Sequence, residues 1–187
     1  MKKLLVGTAL AVNFSIATVM GYVGGYHYIE QKTIARLAPI TVDDRYCLQQ
    51  NIYFESRDQS FAGQHAVAWV TLNRFNSAAF PDTICGVVYQ SKKDKDGKPK
   101  RDKCQFSWYC DGKSDIIPTG VIAQRSWGDA GIVASNVLAE WAVGSSGPVE
   151  GATFYHADWV KPYWAPAFRK VKVVDNHIFY VNDKEKK

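Results

Sequence analysis

The chain reads as an α+β protein, mainly helical with a small C-terminal antiparallel sheet. Two observations predict that class. Apolar residues recur at helical spacing from Thr41 to about Val143. After Pro148 the pattern changes to short strand-like runs, "ATFYH" and "FRKVKVVDNHIFYVN", with no internal repeat anywhere. With 47% hydrophobic and 13% aromatic residues among 187, the body can bury a substantial core, which excludes a disordered chain.

Residues 1–29 read as a signal-anchor or signal peptide. In "MKKLLVGTALAVNFSIATVMGYVGGYHY" two lysines precede 23 residues, Leu4 to Tyr26, without a formal charge. As a helix this run would be roughly 34 Å long, enough for a bilayer core of ~30 Å. Lys2 and Lys3 would stay on the cytoplasmic side. The body is therefore expected to be exported, tethered to the inner membrane and facing the periplasm. A cleaved signal peptide, ending at Gly21 or Gly25, is the competing version. The segment is rich in Gly and Ala and holds the polar Asn13, so lipid retains it weakly and a releasable anchor is expected. Residues 30–40 form a polar linker ending after Pro39, and 41–187 form the folded domain.

The domain opens with "TVDDRYCLQQNIYFES", a helix capped by Thr41 with Asp43 and Asp44 suiting its dipole. "SRDQS" interrupts it. Ser60 caps a second helix, "FAGQHAVAWVTLNRF", with Ala62, Ala66, Trp69 and Val70 as its buried stripe. "FPDTICGVVYQ" is a short helix opened by Asp82, and the basic loop "KKDKDGKPKRDK" follows. "CQFSWYCDGKSDIIP" is turn-rich. Val133, Val137 and Trp141 mark a helix between Gly131 and Val143, stopped by Gly144. "ATFYH" is a strand, and the two prolines of "ADWVKPYWAP" exclude regular structure. The last segment is a hairpin turning at Asp175-Asn176.

Charge and cysteines narrow the class. The net charge is +5, but Lys92 to Lys103 alone hold seven Lys/Arg against three Asp. The rest is close to neutral, so nucleic acid is not an expected partner. Cys47, Cys85, Cys104 and Cys110 form an even set without a CxxC pair. Export would pair them as two disulfides, in any of three connectivities.

Glu55 is the residue with chemical promise. Leu48, Ile52 and Glu55 stand at i, i+4 and i+7 on the first helix, bordered by Asp44 and Asn51. The carboxyl is thus expected at the rim of a cleft, half out of water. Desolvation and the helix C-terminus would both raise its proton affinity. A carboxyl held protonated near neutrality suits a general acid for a glycosidic oxygen. The competing reading is an ordinary helix-end Glu paired with Arg57 or Arg74.

The blocks "IYFESRDQSFAGQHAVAWVTLNRF", "FPDTICGVVYQ", "CQFSWYCDG", "GATFYHADWVKPYWA" and "VDNHIFYVN" occur in that order between Cys47 and Val181. They resemble the cell wall hydrolase family typified by the spore cortex-lytic enzyme. The resemblance implies a lysozyme-like fold for 41–187 that cleaves peptidoglycan glycan strands, with Glu55 as catalytic acid. It also implies a lytic transglycosylase, in which one Glu serves as acid and then base; hydrolysis of the same bond is the variant reading. Two departures stand beside the acid: Ser56 replaces the usual Ala, and Asp58 falls where the family tends to have Gly-Glu. Hydrolytic glycosidases usually need two carboxylates, ~5–5.5 Å or ~6.5–9.5 Å apart. Asp58 and Asp111 are the candidates for a second one, but Asp58 faces Glu55 only if the helix runs on through "SRDQS", and "CDG" favours a turn role for Asp111. Gln105, Phe106, Ser107 and Trp108 have the flat apolar and amide character of a sugar-binding wall, with ordinary core packing as the equal alternative for Phe106 and Trp108. Tyr155, His156 and Trp164 border the cleft by resemblance, with Trp159 and Tyr163 beside them, while His177 is expected to be structural.

No cofactor or metal is expected, and a monomer is. A zinc amidase built on His156, Asp158 and His177 is the rival chemistry, although their spacing matches no ligand motif. A non-catalytic wall-binding module is the third reading. The weakly apolar N-terminus resembles a signal-anchor-release endolysin, with a bacterial wall-remodelling enzyme as the alternative.

Overall fold

A computed structural model describes residues 40–185, together with residues 25, 30, 31 and 33. The chain divides into two compact units, Met1–Pro39 and Ile40–Lys187, and every element named below lies in the second. The expected N-terminal segment and linker fall almost wholly outside the described residues. Among the described residues no helix is long and apolar enough to cross a membrane.

Helix α1 (Val42–Ser56) starts at Thr41, whose hydroxyl accepts from the Asp44 amide while Asp44 bonds back to the Thr41 amide, a reciprocal cap. Helix α2 (Phe61–Phe75) starts at Ser60, which accepts from the Gly63 amide. Helix α3 (Ile84–Val88) is capped by Thr83 and not, as expected, by Asp82, because it is the Thr83 hydroxyl that accepts the Gly86 amide. Helix α4 (Val121–Ala142) begins well before the expected Gly131, its first turns being exposed and so lacking an apolar row to mark them. α1 packs on α2, α3 and α4, and α2 packs on α3 and α4, around Leu48, Ile52, Val67, Trp69, Val133 and Val137. Ala62 does not join the buried stripe of α2; it is exposed at the first turn, and Gly63 and Gln64 turn inward instead.

The basic stretch is a hairpin and not a loop: β1 (Ser91–Lys93) pairs antiparallel with β2 (Pro99–Cys104). Backbone ladder bonds override the poor strand propensity of lysine there. The second sheet has the order β3 (Phe154–Ala157), β5 (His177–Val181), β4 (Arg169–Val174), all antiparallel. Its hairpin turns at Asp175-Asn176, with Asp175 at φ +47°. The disulfides join Cys47 to Cys85, stapling α1 to α3, and Cys104 to Cys110.

Gly147, at φ +67°, lets the loop after α4 lie flat on the Trp69 indole, where any Cβ would overlap the ring. Gly147→Ala is expected to cost about 2–4 kcal/mol, combining left-handed strain with overpacking. Urea unfolding monitored by tryptophan fluorescence measures it.

Candidate active site

Two residues at the end of α2 organise the site. The Asn73 side-chain amide donates to the Ala152 carbonyl at 2.9 Å, and Arg74 Nε donates to the Thr153 carbonyl at 2.7 Å. These bonds fasten the chain as it enters β3. The strand then carries Tyr155 across to the C-terminal turn of α1, where its hydroxyl donates to Glu55 Oε2 at 2.6 Å. A second tie comes from the hairpin tip. The Ser60 amide and hydroxyl donate to Asp175 Oδ2 at 2.9 and 2.7 Å, holding the β4–β5 turn against the start of α2.

The result is a cleft of about 440 Å³ with Glu55 partly exposed in its wall. Burial raises the Glu55 proton affinity above the ordinary value of 4.5; the Tyr155 hydrogen bond and the Arg74 charge oppose that rise. Tyr155 is pushed well above its usual range, first by burial and then by the neighbouring Glu55. Arg74 is buried, and desolvation lowers it to about 10, so it stays charged at neutral pH. Its guanidinium lies 4.8 Å from the Phe106 ring centroid, and Nη1 is buried without a hydrogen-bond partner. Glu55 therefore pairs by hydrogen bond with neither expected arginine. Arg57 lies 4.9 Å over the Tyr53 ring, and Arg74 acts on Glu55 through its charge.

Gln105, Phe106, Ser107, Tyr155, His156 and Trp164 all line the cleft with Glu55. Trp108 does not. It is buried, its indole N–H donates to Asn51 Oδ1 at 2.9 Å, and its ring stacks on Phe54 with centroids 4.7 Å apart. Asn51 and Asp44, which border the apolar row of α1, are themselves buried: Asn51 also donates to Thr71, and Asp44 accepts the Cys85 amide. Neither Asp58 nor Asp111 lines the cleft; Asp58 is exposed, and Asp111 accepts the Lys113 amide in a tight turn. Trp159 and Tyr163 are exposed and away from the cleft lining.

His177 is buried and packs edge-on to Tyr155 with centroids 5.2 Å apart, in keeping with a structural role, and it also lines the cleft. Burial lowers its proton affinity against the pull of Asp58, Asp175 and Asp158, leaving the ring neutral at neutral pH. His156 donates from Nδ1 to the Ala157 carbonyl and faces the Tyr180 hydroxyl with Nε2, so both ring nitrogens are engaged. Among the described residues, no group of three His, Cys, Asp or Glu side chains converges as a metal set. Arg74 enters the sequence reading only as an ion-pair partner of Glu55, and His177 only as a structural residue or a ligand of the rival zinc site. Both come from elements distant in sequence, and only the "NR" ending of α2 and the turn beside His177 offered a local signal.

The cell wall hydrolase family model matches residues 58–180. Glu55 lies just before that stretch, so its place in the site rests on geometry. The spore cortex-lytic enzyme of Halalkalibacterium halodurans is 29% identical over 138 residues, 73% of this chain and 34% of that protein. The chain thus spans about a third of that relative's length. The catalytic domain of the Bacillus cereus SleB protein is 26% identical with a TM-score of 0.51, covering 75% of this chain and 91% of that one. The catalytic domain of the germination-specific lytic transglycosylase SleB from Bacillus anthracis is 28% identical with the same TM-score of 0.51, covering 75% and 95%. The matched stretch spans most of the chain and contains the strands and helix end that build the cleft; the chain belongs to the cell wall hydrolase family.

Proposed function

We propose that the protein degrades peptidoglycan as a lytic transglycosylase, cleaving the bond between N-acetylmuramic acid and N-acetylglucosamine with Glu55 as its one catalytic carboxyl. The observation that carries this reading is a half-buried Glu55, biased toward its protonated form, as the one acid lining its cleft among the described residues. Protonated Glu55 gives its proton to the glycosidic oxygen as the C1–O bond breaks. The resulting carboxylate, supported by the Tyr155 hydroxyl and the Arg74 charge, takes the proton from the muramic acid's own 6-hydroxyl. That oxygen bonds to C1, giving a 1,6-anhydro end; no water is consumed, and Glu55 is protonated again. A hydrolytic route would want a second carboxylate within ~10 Å to activate water. Trp164 and Gln105 give the cleft the aromatic and amide surface that N-acetyl sugars use, while the buried Phe106 packs behind them under Arg74.

Mass spectrometry of muropeptides released from purified sacculi checks the mechanism. A 1,6-anhydro end is expected on every new muramic acid terminus, opposite a non-reducing N-acetylglucosamine end. Reducing ends alone would replace transglycosylation by hydrolysis.

The charge-free N-terminal run supports an exported enzyme tethered at the inner membrane and facing the periplasm, as a releasable endolysin would be. Fractionation before and after collapse of the membrane potential tests this. Full-length protein should move from the membrane to the soluble fraction, and retention after collapse would remove the releasable anchor.

A further inference from the structure

A second cavity, of about 270 Å³, opens on the other side of the turn that carries Glu55. Its floor is the stacked pair Phe54 and Trp108, and its rim carries Arg57, Lys113, Asp111 and Asp115. Two positive and two negative side chains around an aromatic floor are a poor match for a neutral sugar. They suit a small zwitterion. Asp111 is partly satisfied by Lys113, with Nζ–Oδ2 at 3.5 Å, and by the Lys113 amide at 2.8 Å. Arg57 and Asp115 are not. Among the described residues neither the Arg57 guanidinium nor the Asp115 carboxyl is hydrogen-bonded to a protein partner, and Arg57 is held in place over the Tyr53 ring. Burial and the neighbouring Asp111 raise the Asp115 proton affinity, so an ammonium group brought between the two carboxylates would relieve a standing repulsion.

We infer that this cavity binds the peptide stem of the substrate, through a diamino acid whose free end carries both an ammonium and a carboxylate. The inference rests on the peptidoglycan reading above and adds a substrate class to it: stem-bearing strands over bare glycan. The ammonium faces Asp111 and Asp115, the carboxylate faces Arg57, and the methylene chain lies on Phe54 and Trp108. Reach is sufficient. Phe54 and Glu55 are chain neighbours, as are Ser107 and Trp108, so the two cavities are lined by adjacent residues. A three-residue stem spans roughly 10 Å when extended.

The test measures kcat/KM of the full-length protein on strands with intact meso-diaminopimelate stems, and on the same strands stripped of stems by an amidase. Two exposed charge contacts predict a preference of about tenfold for the stem-bearing strands. That ratio should fall toward one in Arg57→Ala and in Asp115→Asn. Equal rates for the parent protein on both substrates would overturn the stem site and leave the glycosidase reading standing; no cleavage of either would overturn the glycosidase reading itself. An unchanged ratio in both variants would also overturn the site. A variant-free measurement guards against misfolding: the free tripeptide Ala-γ-Glu-meso-diaminopimelate is titrated against the parent protein, following the Trp108 indole N–H by NMR. A saturable shift is expected, weakened about tenfold when the side-chain amine of diaminopimelate is acetylated. No shift at millimolar peptide, or no effect of acetylation, would sink the assignment.

Discussion

Glu55→Gln is expected to lower turnover of peptidoglycan by about 10²–10⁴-fold, the usual worth of a positioned general acid. The substitution is close to isosteric, and its carbonyl can still accept the Tyr155 hydroxyl, so the cleft should keep its shape. What disappears is the proton. Turbidity loss of outer-membrane-permeabilised cells is the measurement, with EDTA as the control that leaves the parent's rate unchanged. Activity comparable to the parent would end the one-acid mechanism. The same variant carries a signature in stability. Glu55 has its folded proton affinity raised above 4.5, chiefly by burial. Its favourable contribution is therefore fully present below that value and is lost as pH rises through the folded pKa. Glutamine has no charge to desolvate, so Glu55→Gln should gain stability relative to the parent as pH climbs from 4 to 8. Urea unfolding across that range reads the difference, and a gap that shrinks with rising pH would contradict the burial argument. Parent activity should decline over the same limb, because the ionised acid has no proton to give.

Much of this arrangement could be read from local chemistry. Thr41 and Ser60 are caps because their hydroxyls replace missing helical acceptors, and any sequence reader can see both. The Asp175-Asn176 turn is legible for the same reason: short polar side chains tolerate a positive φ. Glu55 stood out because an acid ends an apolar row. The misreadings share a different cause. Trp108 looks like a sugar platform until the buried Asn51 amide claims its N–H, a contact set by how the 3-10 turn at Ser107–Cys110 folds over α1. The lysine-rich hairpin hides because its strands have no apolar alternation. Asp58 falls outside the cleft because the backbone leaves the helix after Ser56, as "SRDQS" had hinted. Arg74 is the least legible, since the sequence offers it only as an ion-pair partner of Glu55. Its position on α2 is clear from sequence, but its value depends on Thr153, Glu55 and Tyr155 arriving from elsewhere in the chain.

Arg74→Met should therefore produce two separable losses. The first is stability, at about 3 kcal/mol: a buried guanidinium that bonds the Thr153 carbonyl and packs on Phe106 is replaced by a side chain that can do only the packing. The second is catalytic, about 10–100-fold, since β3 loses the tie that presents Tyr155 to Glu55 and the carboxylate loses its nearest positive charge. A purely structural role would lower the rate uniformly across pH. The charge role does not, because removing a cation raises the proton affinity of Glu55 further, and the alkaline limb of kcat/KM should move to higher pH. Arg74→Lys separates the two effects. It keeps a positive charge but cannot reproduce the planar guanidinium on Phe106, so it should lose stability while its alkaline limb stays near the parent's. A Lys variant whose limb shifts as far as that of the Met variant would show that the charge beneath Glu55 is irrelevant. The proton affinity of the carboxyl would then be set by burial, opposed by the Tyr155 hydrogen bond alone.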